Sequence, residues 1–134
     1  MRISTKGRHA VMAMVDLARH AGEKPVPLAD VAQRQMISLS YLEQLVAKLK
    51  KNGLVKSMRG PGGGYVIAMD ATQMTIQQIV SAVDTGRESD RAAAMSSEGQ
   101  TARKLTDHLW DRMSEEMQKY LKSVTLADVV QNKI

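Results

Sequence analysis

The chain has 134 residues, 43% of them apolar and 25% charged, the composition of one ordinary globular domain of about this length. It contains no cysteine and no phenylalanine, one tryptophan (Trp110) and ten methionines, so its core is aliphatic. The missing cysteines exclude a disulfide framework and any thiolate-held metal or cluster. No apolar run approaches the roughly 20 residues that span a bilayer, and no charged-then-apolar leader opens the chain. A soluble, cytoplasmic protein with no membrane partner is expected. Charge is uneven: residues 1–68 hold eleven Lys/Arg against four Asp/Glu, and residues 69–134 hold eight against ten. That asymmetry predicts a polyanion-binding half joined to a half with another task.

From Ser4 to about Ala21 the residues Ala10, Val11, Met14, Val15, Leu17 and Ala18 recur at helical spacing, with Ser4 or Thr5 available as cap and Gly22 as stop. Leu28–Gln35 reads as a short helix entered from Pro27, and Met36-Ile37 turns the chain. The next helix, 38–51, carries its apolar stripe at Leu42, Leu45, Val46 and Leu49. Ser38 or Ser40 can cap it, and Ser40 with Glu43 has capping-box spacing. Lys50-Lys51-Asn52-Gly53 closes it with cations and a glycine stop.

The period then changes. Leu54–Met58 and Tyr65–Ala68 read as strands around the turn Gly60-Pro61-Gly62-Gly63-Gly64, a β-hairpin. Thr75 caps a short helix with Ile76, Ile79, Val80 and Val83 inward. Residues 85–103 turn small and polar and read as a loop. A long helix from about 104 to 124 and a last short helix, Leu126–Gln131 capped by Thr125, complete the chain. The predicted fold is mainly α with a small β-hairpin, a winged helix-turn-helix over 1–84 followed by a long dimerisation helix within 104–134.

The 38–51 helix is the strongest functional candidate. Ser38, Ser40, Tyr41, Glu43, Gln44, Lys48 and Lys51 face away from its stripe, and the N-terminal end of such a helix reads base edges. Gln44 can pair bidentately with adenine, and Glu43 can accept from a cytosine amine. A carboxylate there repels phosphate, so Glu43 either selects bases or only caps. In the hairpin, Arg59 with Gly60, Gly62 and Gly63 suits a wing laid on a phosphate or in the minor groove. The glycines do not form a phosphate-binding loop, because no Gly-Lys-Ser/Thr follows, nor a dinucleotide fingerprint, because a strand follows instead of a helix. Arg2, Lys6, Lys48, Lys51, Lys56 and Arg59 are the candidate phosphate contacts. On the long helix, Leu105, Leu109, Met113, Met117 and Tyr120 fit a pairing seam for a homodimer, while docking on the chain's own core is also open. Catalytic signals are poor. His9 and His20 lie about three turns apart on one helix, too far to share a metal, and neither a Gly-x-Ser-x-Gly elbow nor a His-Glu-x-x-His occurs. A non-enzyme that binds double-stranded DNA is expected. The competing reading is a protein–protein interaction module with a basic face.

Several of these segments together resemble the IscR family of bacterial iron–sulfur cluster regulators. They are Met1–Arg8, Ile37–Leu45, Lys51–Val55, Arg59–Tyr65, Ile79–Asp84 and the helix start Leu105–Trp110. The resemblance implies a dimeric winged-helix transcriptional regulator of cluster-assembly genes, with Ser38, Ser40, Tyr41, Glu43 and Gln44 on the recognition helix and Arg59–Gly64 as the wing. It implies that Glu43 discriminates between two classes of DNA site. The family also holds a 2Fe–2S cluster on three cysteines and a histidine, at positions matching Ala92, Glu98, Lys104 and Asp107. None of these four is such a ligand, and His108, one residue off, is the remaining candidate metal ligand. No cofactor is therefore expected in this chain. It is either a natural relative without the cluster or a form whose cysteines were replaced.

Overall fold

The computed structural model describes residues 3–21, 24–84 and 97–134, with side chains of the last segment from residue 102. Arg2, Gly22, Ala92 and the side chain of Glu98 lie outside the described residues. In chain order the elements are α1 (Thr5–Arg19), α2 (Leu28–Gln35), α3 (Leu39–Lys51), β1 (Val55–Met58), β2 (Gly64–Ile67), a 3-10 turn (Ala71–Gln73), α4 (Ile76–Val83), α5 (Ser97–Ser123) and α6 (Leu126–Val130). This is the expected mainly helical fold with a two-stranded antiparallel hairpin.

Helix α1 is the pillar. Ser4 caps it by accepting from the Gly7 amide at 3.0 Å. Its buried face of Ala10, Ala13, Met14 and Leu17 packs against residues from α2, α3, α4 and α6. Val31, Leu42, Leu45, Val46, Leu49, Ile79, Val83 and Leu126 complete this aliphatic core.

Three connections were not foreseen. Val26, just before α2, bridges to Tyr65 through Val26 N–H to Tyr65 O (3.0 Å) and Tyr65 N–H to Val26 O (2.8 Å), so β2 is flanked on both sides. Thr75 and Thr125 form a second bridge, in which Ile76 N–H donates to Val124 O at 2.9 Å and Leu126 N–H to Met74 O at 2.8 Å. Both threonines head capping boxes, with Gln78 and Asp128. Together they lock α6 into the core of the winged-helix body.

The third is the buried carboxylate Asp16 on α1, 5% exposed. Arg34 of α2 meets it side-on, Nε–H to Oδ2 at 2.9 Å and Nη2–H to Oδ1 at 2.6 Å, and Gln35 adds a third donor at 3.3 Å. The Arg34 hydrogen bonds hold the Asp16 carboxyl below the usual aspartate range, against the opposing effect of burial.

The long helix begins earlier than the sequence suggests. Residues 97–103, read as loop, are helical. Glu98, Gln100, Ala102 and Arg103 are good helix formers, and the small polar residues around them hid that propensity.

Removing either partner of the Asp16–Arg34 pair should have unequal effects. Arg34→Ala strands a buried carboxylate and should cost about 3 kcal/mol or more. Asp16→Asn leaves a half-exposed guanidinium that water can solvate, and should cost only about 1–2 kcal/mol. Because the folded pKa is depressed, the wild-type contribution is complete above the unfolded value of about 4 and is lost as pH falls through the lower folded value. Denaturant melts from pH 7 down to pH 2 should show the Arg34→Ala deficit shrinking only below about pH 4.

Candidate nucleic-acid interface

Helices α2 and α3 are joined by a tight turn. Met36 ends α2 in the left-handed conformation (φ 59°), its N–H donating to Gln33 O and the next amide, Ile37, to Ala32 O. Ser38 then caps α3, accepting from the Tyr41 amide at 3.1 Å. Of the two caps the sequence offered, Ser38 is the one used, and Ser40 lies inside the first turn. The Ser40–Glu43 capping box is therefore not formed. Its alternative role for Glu43 is gone, and that side chain lies exposed beside Gln44.

The other recognition-helix residues are placed unequally. Ser38, Ser40 and Lys51 are exposed, and Lys48 is half-buried. Tyr41 is also half-buried, its hydroxyl 2.9 Å from His9 Nδ1 and its ring edge-on to the imidazole at 5.4 Å. It braces α3 against α1. His9 was not foreseen as a site residue, and only the spacing between two distant helices could have revealed it. Lys50 donates to Ser57 Oγ at 3.1 Å and ties α3 to β1. Lys6, at the start of α1, is exposed.

The hairpin pairs Val55 with Ile67, Lys56 with Val66, Ser57 with Tyr65 and Met58 with Gly64. Lys56 and Arg59 are exposed. The tip is closed by Gly63 N–H to Gly60 O at 2.8 Å, and Gly60 and Gly62 take φ of 99° and 75°, which L side chains resist. At Gly64 the constraint is contact instead. A Cβ there would sit 2.4 Å from the carbonyl carbon and oxygen of Val26. The hairpin is thus fastened to the body by backbone packed too closely for any side chain.

On α5 the described residues from 102 to 113 are exposed except Arg103. Leu105, Leu109, Trp110, Met113 and Tyr120 are 75, 55, 49, 39 and 58% exposed, whereas Met117 and Leu121 are partly covered by α4 and the N-terminal residues. The base of α5 docks on the chain's own core, and Leu105, Leu109 and Trp110 above it are exposed.

The donor set of a 2Fe–2S cluster is absent. The chain has no thiol, Lys104 and Asp107 are exposed on α5, and among the described residues no three His, Asp or Glu side chains converge. His108 lies on that same exposed helix, outside any group of three such side chains. The residues present do not fit the group.

A family model described as Rrf2, iron-dependent transcriptional regulator, matches residues 3–132. The chain is 48% identical over 132 residues to the HTH-type transcriptional regulator IscR of Serratia proteamaculans, covering 98% of this chain and 80% of that protein. It is 47% identical over 133 residues to the IscR of Pectobacterium atrosepticum, covering 99% and 81%. Among solved structures, T. potens IscR matches with a TM-score of 0.79 at 37% identity over 100% of this chain and 89% of that one. CymR, the global cysteine regulator of B. subtilis, matches at 0.79 and 33% identity over 100% and 99%.

Gly64→Ala should detach the hairpin from Val26 without touching any charged residue. Thermal melting should drop, and hydrogen exchange should speed up at the Val26 and Tyr65 amides ahead of the α1 amides.

Proposed function

Because this chain belongs to the Rrf2 family of transcriptional regulators, we propose that it reads duplex DNA as a homodimer, with α3 in the major groove and the 59–63 turn as the wing. The observation that carries this is the exposure of the α3 N-terminal turn and of a basic hairpin tied to α3 by the Lys50–Ser57 hydrogen bond and to the body by the Val26–Tyr65 bridge. Ser40, Glu43 and Gln44 supply base contacts, Ser38 and the ring edge of Tyr41 border them, and Lys6, Lys48, Lys51, Lys56, Arg59 and Arg2 supply phosphate contacts. The glycines at 60, 62 and 63 let the wing backbone approach the duplex. Leu105, Leu109, Met113, Met117 and Tyr120 hold the two copies together. DNA binding by a winged helix needs no catalytic group, and a regulator's place of work is the cytoplasm, on the nucleoid. The loss of the thiolate set supports a regulator that binds DNA without a 2Fe–2S cluster. Its residues 1–84 act as the DNA-binding unit, and α5 with α6 acts as the connection between copies.

Glu43 decides specificity in this reading. With the helix capped by Ser38, Glu43→Ala should leave the melting temperature unchanged and broaden the selected sites, losing about 1–3 kcal/mol of discrimination at one base pair. Selection from a random duplex pool measures this, and an unaltered ranking of sites overturns the role.

The phosphate contacts make a separate prediction. With about six to ten phosphates neutralised by the dimer, affinity should fall roughly 10³–10⁵-fold between 50 and 200 mM salt. Arg59→Ala should flatten that slope by about one contact per copy. A basic face meant for an acidic protein would give no such slope on DNA.

A further inference from the structure

Ala47 takes no part in the core and is exposed on the third turn of α3. The buried stripe of that helix is Leu42, Leu45, Val46 and Leu49. At about 100° per residue, the line opposite the stripe is shared by Ser40, Gln44, Ala47 and Lys51, each within about 30° of it. Glu43 and Lys48 flank this line on its two sides. All four residues on the line are exposed. Three are polar or charged, and Ala47 alone ends in carbon, with no side-chain donor or acceptor to offer a base or a phosphate.

What an alanine offers is one methyl group. Thymine alone among the bases of DNA carries a methyl on its major-groove edge, and apolar contact with it is how a short aliphatic side chain reads sequence. Ala47 lies four residues beyond Glu43 and three beyond Gln44, so its Cβ is about 4.5–6 Å further along the helix axis. Successive base pairs are about 3.4 Å apart, and the group that Ala47 meets is therefore one or two steps from the pairs met by Glu43 and Gln44. Helix propensity explains an isolated outward alanine. This one stands between Gln44, one turn before it, and Lys51, one turn after it, on the same line, so a groove that admits both admits Ala47 as well. A longer side chain here would hold the helix axis away from the base edges.

We propose that Ala47 is a specificity-determining residue, its methyl seated against the C5-methyl of a thymine one or two base pairs from the pairs read by Glu43 and Gln44. This rests on the reading of α3 as the major-groove helix and adds a third base to it.

The test removes one methyl from each side of the contact. The full chain first selects sites from a random duplex pool, and a protein that selects none overturns the α3 reading and this proposal together. Each thymine of the selected site is then replaced in turn by deoxyuridine, which deletes the C5-methyl and keeps the pairing. At one thymine the replacement should weaken the wild-type protein roughly fourfold per bound copy, the factor for leaving one methyl unburied. Ala47→Gly should lose nothing further at that thymine, while its losses at other positions match the wild type. Glycine loosens an exposed helical turn, so Ala47→Ser is measured beside it, with circular dichroism confirming the helix. The serine protein should show a lower thymine-over-deoxyuridine ratio at that position and at no other. A selected site without a fixed thymine, deoxyuridine tolerated at every position, or an equal loss in all three proteins overturns the role of Ala47 and leaves DNA reading by α3 standing.

Discussion

A carboxylate buried on the central helix is the constraint around which α1, α2 and the start of α3 are arranged. Asp16 lies where the sequence pattern leaves room for an apolar residue, between Ala13 and Leu17, and its charge must be met from outside α1. Arg34 and Gln35 meet it from the last turn of α2. Two parallel N–H···O bonds fix rotation as well as distance, which a hydrophobic contact of the same area does not. Since α2 ends one residue later in the tight turn at Met36, whatever orients α2 also orients the cap of α3. The pair's value is therefore angular: it sets the direction in which α3 points.

The same logic of fixing a surface from behind recurs around α3 and the wing. Tyr41 and His9 brace α3 against α1, and Lys50 joins it to β1 through Ser57. The hairpin is held by the Val26–Tyr65 bridge at the point where Gly64 removes the last side chain between two backbones. Outside these restraints Ser40, Glu43, Gln44, Lys51, Lys56 and Arg59 are exposed polar or charged groups.

The helices and hairpin were legible because their stripes and punctuation are strong: Leu42, Leu45, Val46 and Leu49 at helical spacing, then five turn residues between two short strands. What stayed hidden was pairing between distant segments. Nothing local marks Val26 as the third partner of the hairpin or Thr125 as the partner of Thr75, because a single bridge has no period. Asp16 could not be told from a solvated helix charge without knowing that Arg34 returns to it. Met36 misleads in another way: the turn wants a residue that tolerates φ near 60°, and a methionine 88% exposed gives no such signal. The choice between Ser38 and Ser40 as cap depended on a one-residue boundary that spacing leaves open. With Ser38 as the cap, Glu43 takes no part in a capping box and its side chain is exposed.

The junction at the foot of α5 links the two halves of the molecule mechanically. Ser123 ends the helix, and within three residues the chain is bonded to Met74 and Ile76 on either side of Thr75. Helix α4, which starts there, packs against α1, α3 and α5. The seam on α5 and the reading face of α3 are thus separated by one layer of core and by no flexible linker among the described residues. In a two-fold dimer built on α5, the spacing between the two recognition helices is then set by the packing of α4 between α3 and α5. Neighbouring major grooves on one face of DNA recur every ~34 Å, so a small repacking along α4 changes how well both copies engage at once. In such a dimer the core residues Ile79, Ala82 and Val83 would bear on DNA recognition through that geometry, with no contact to a base.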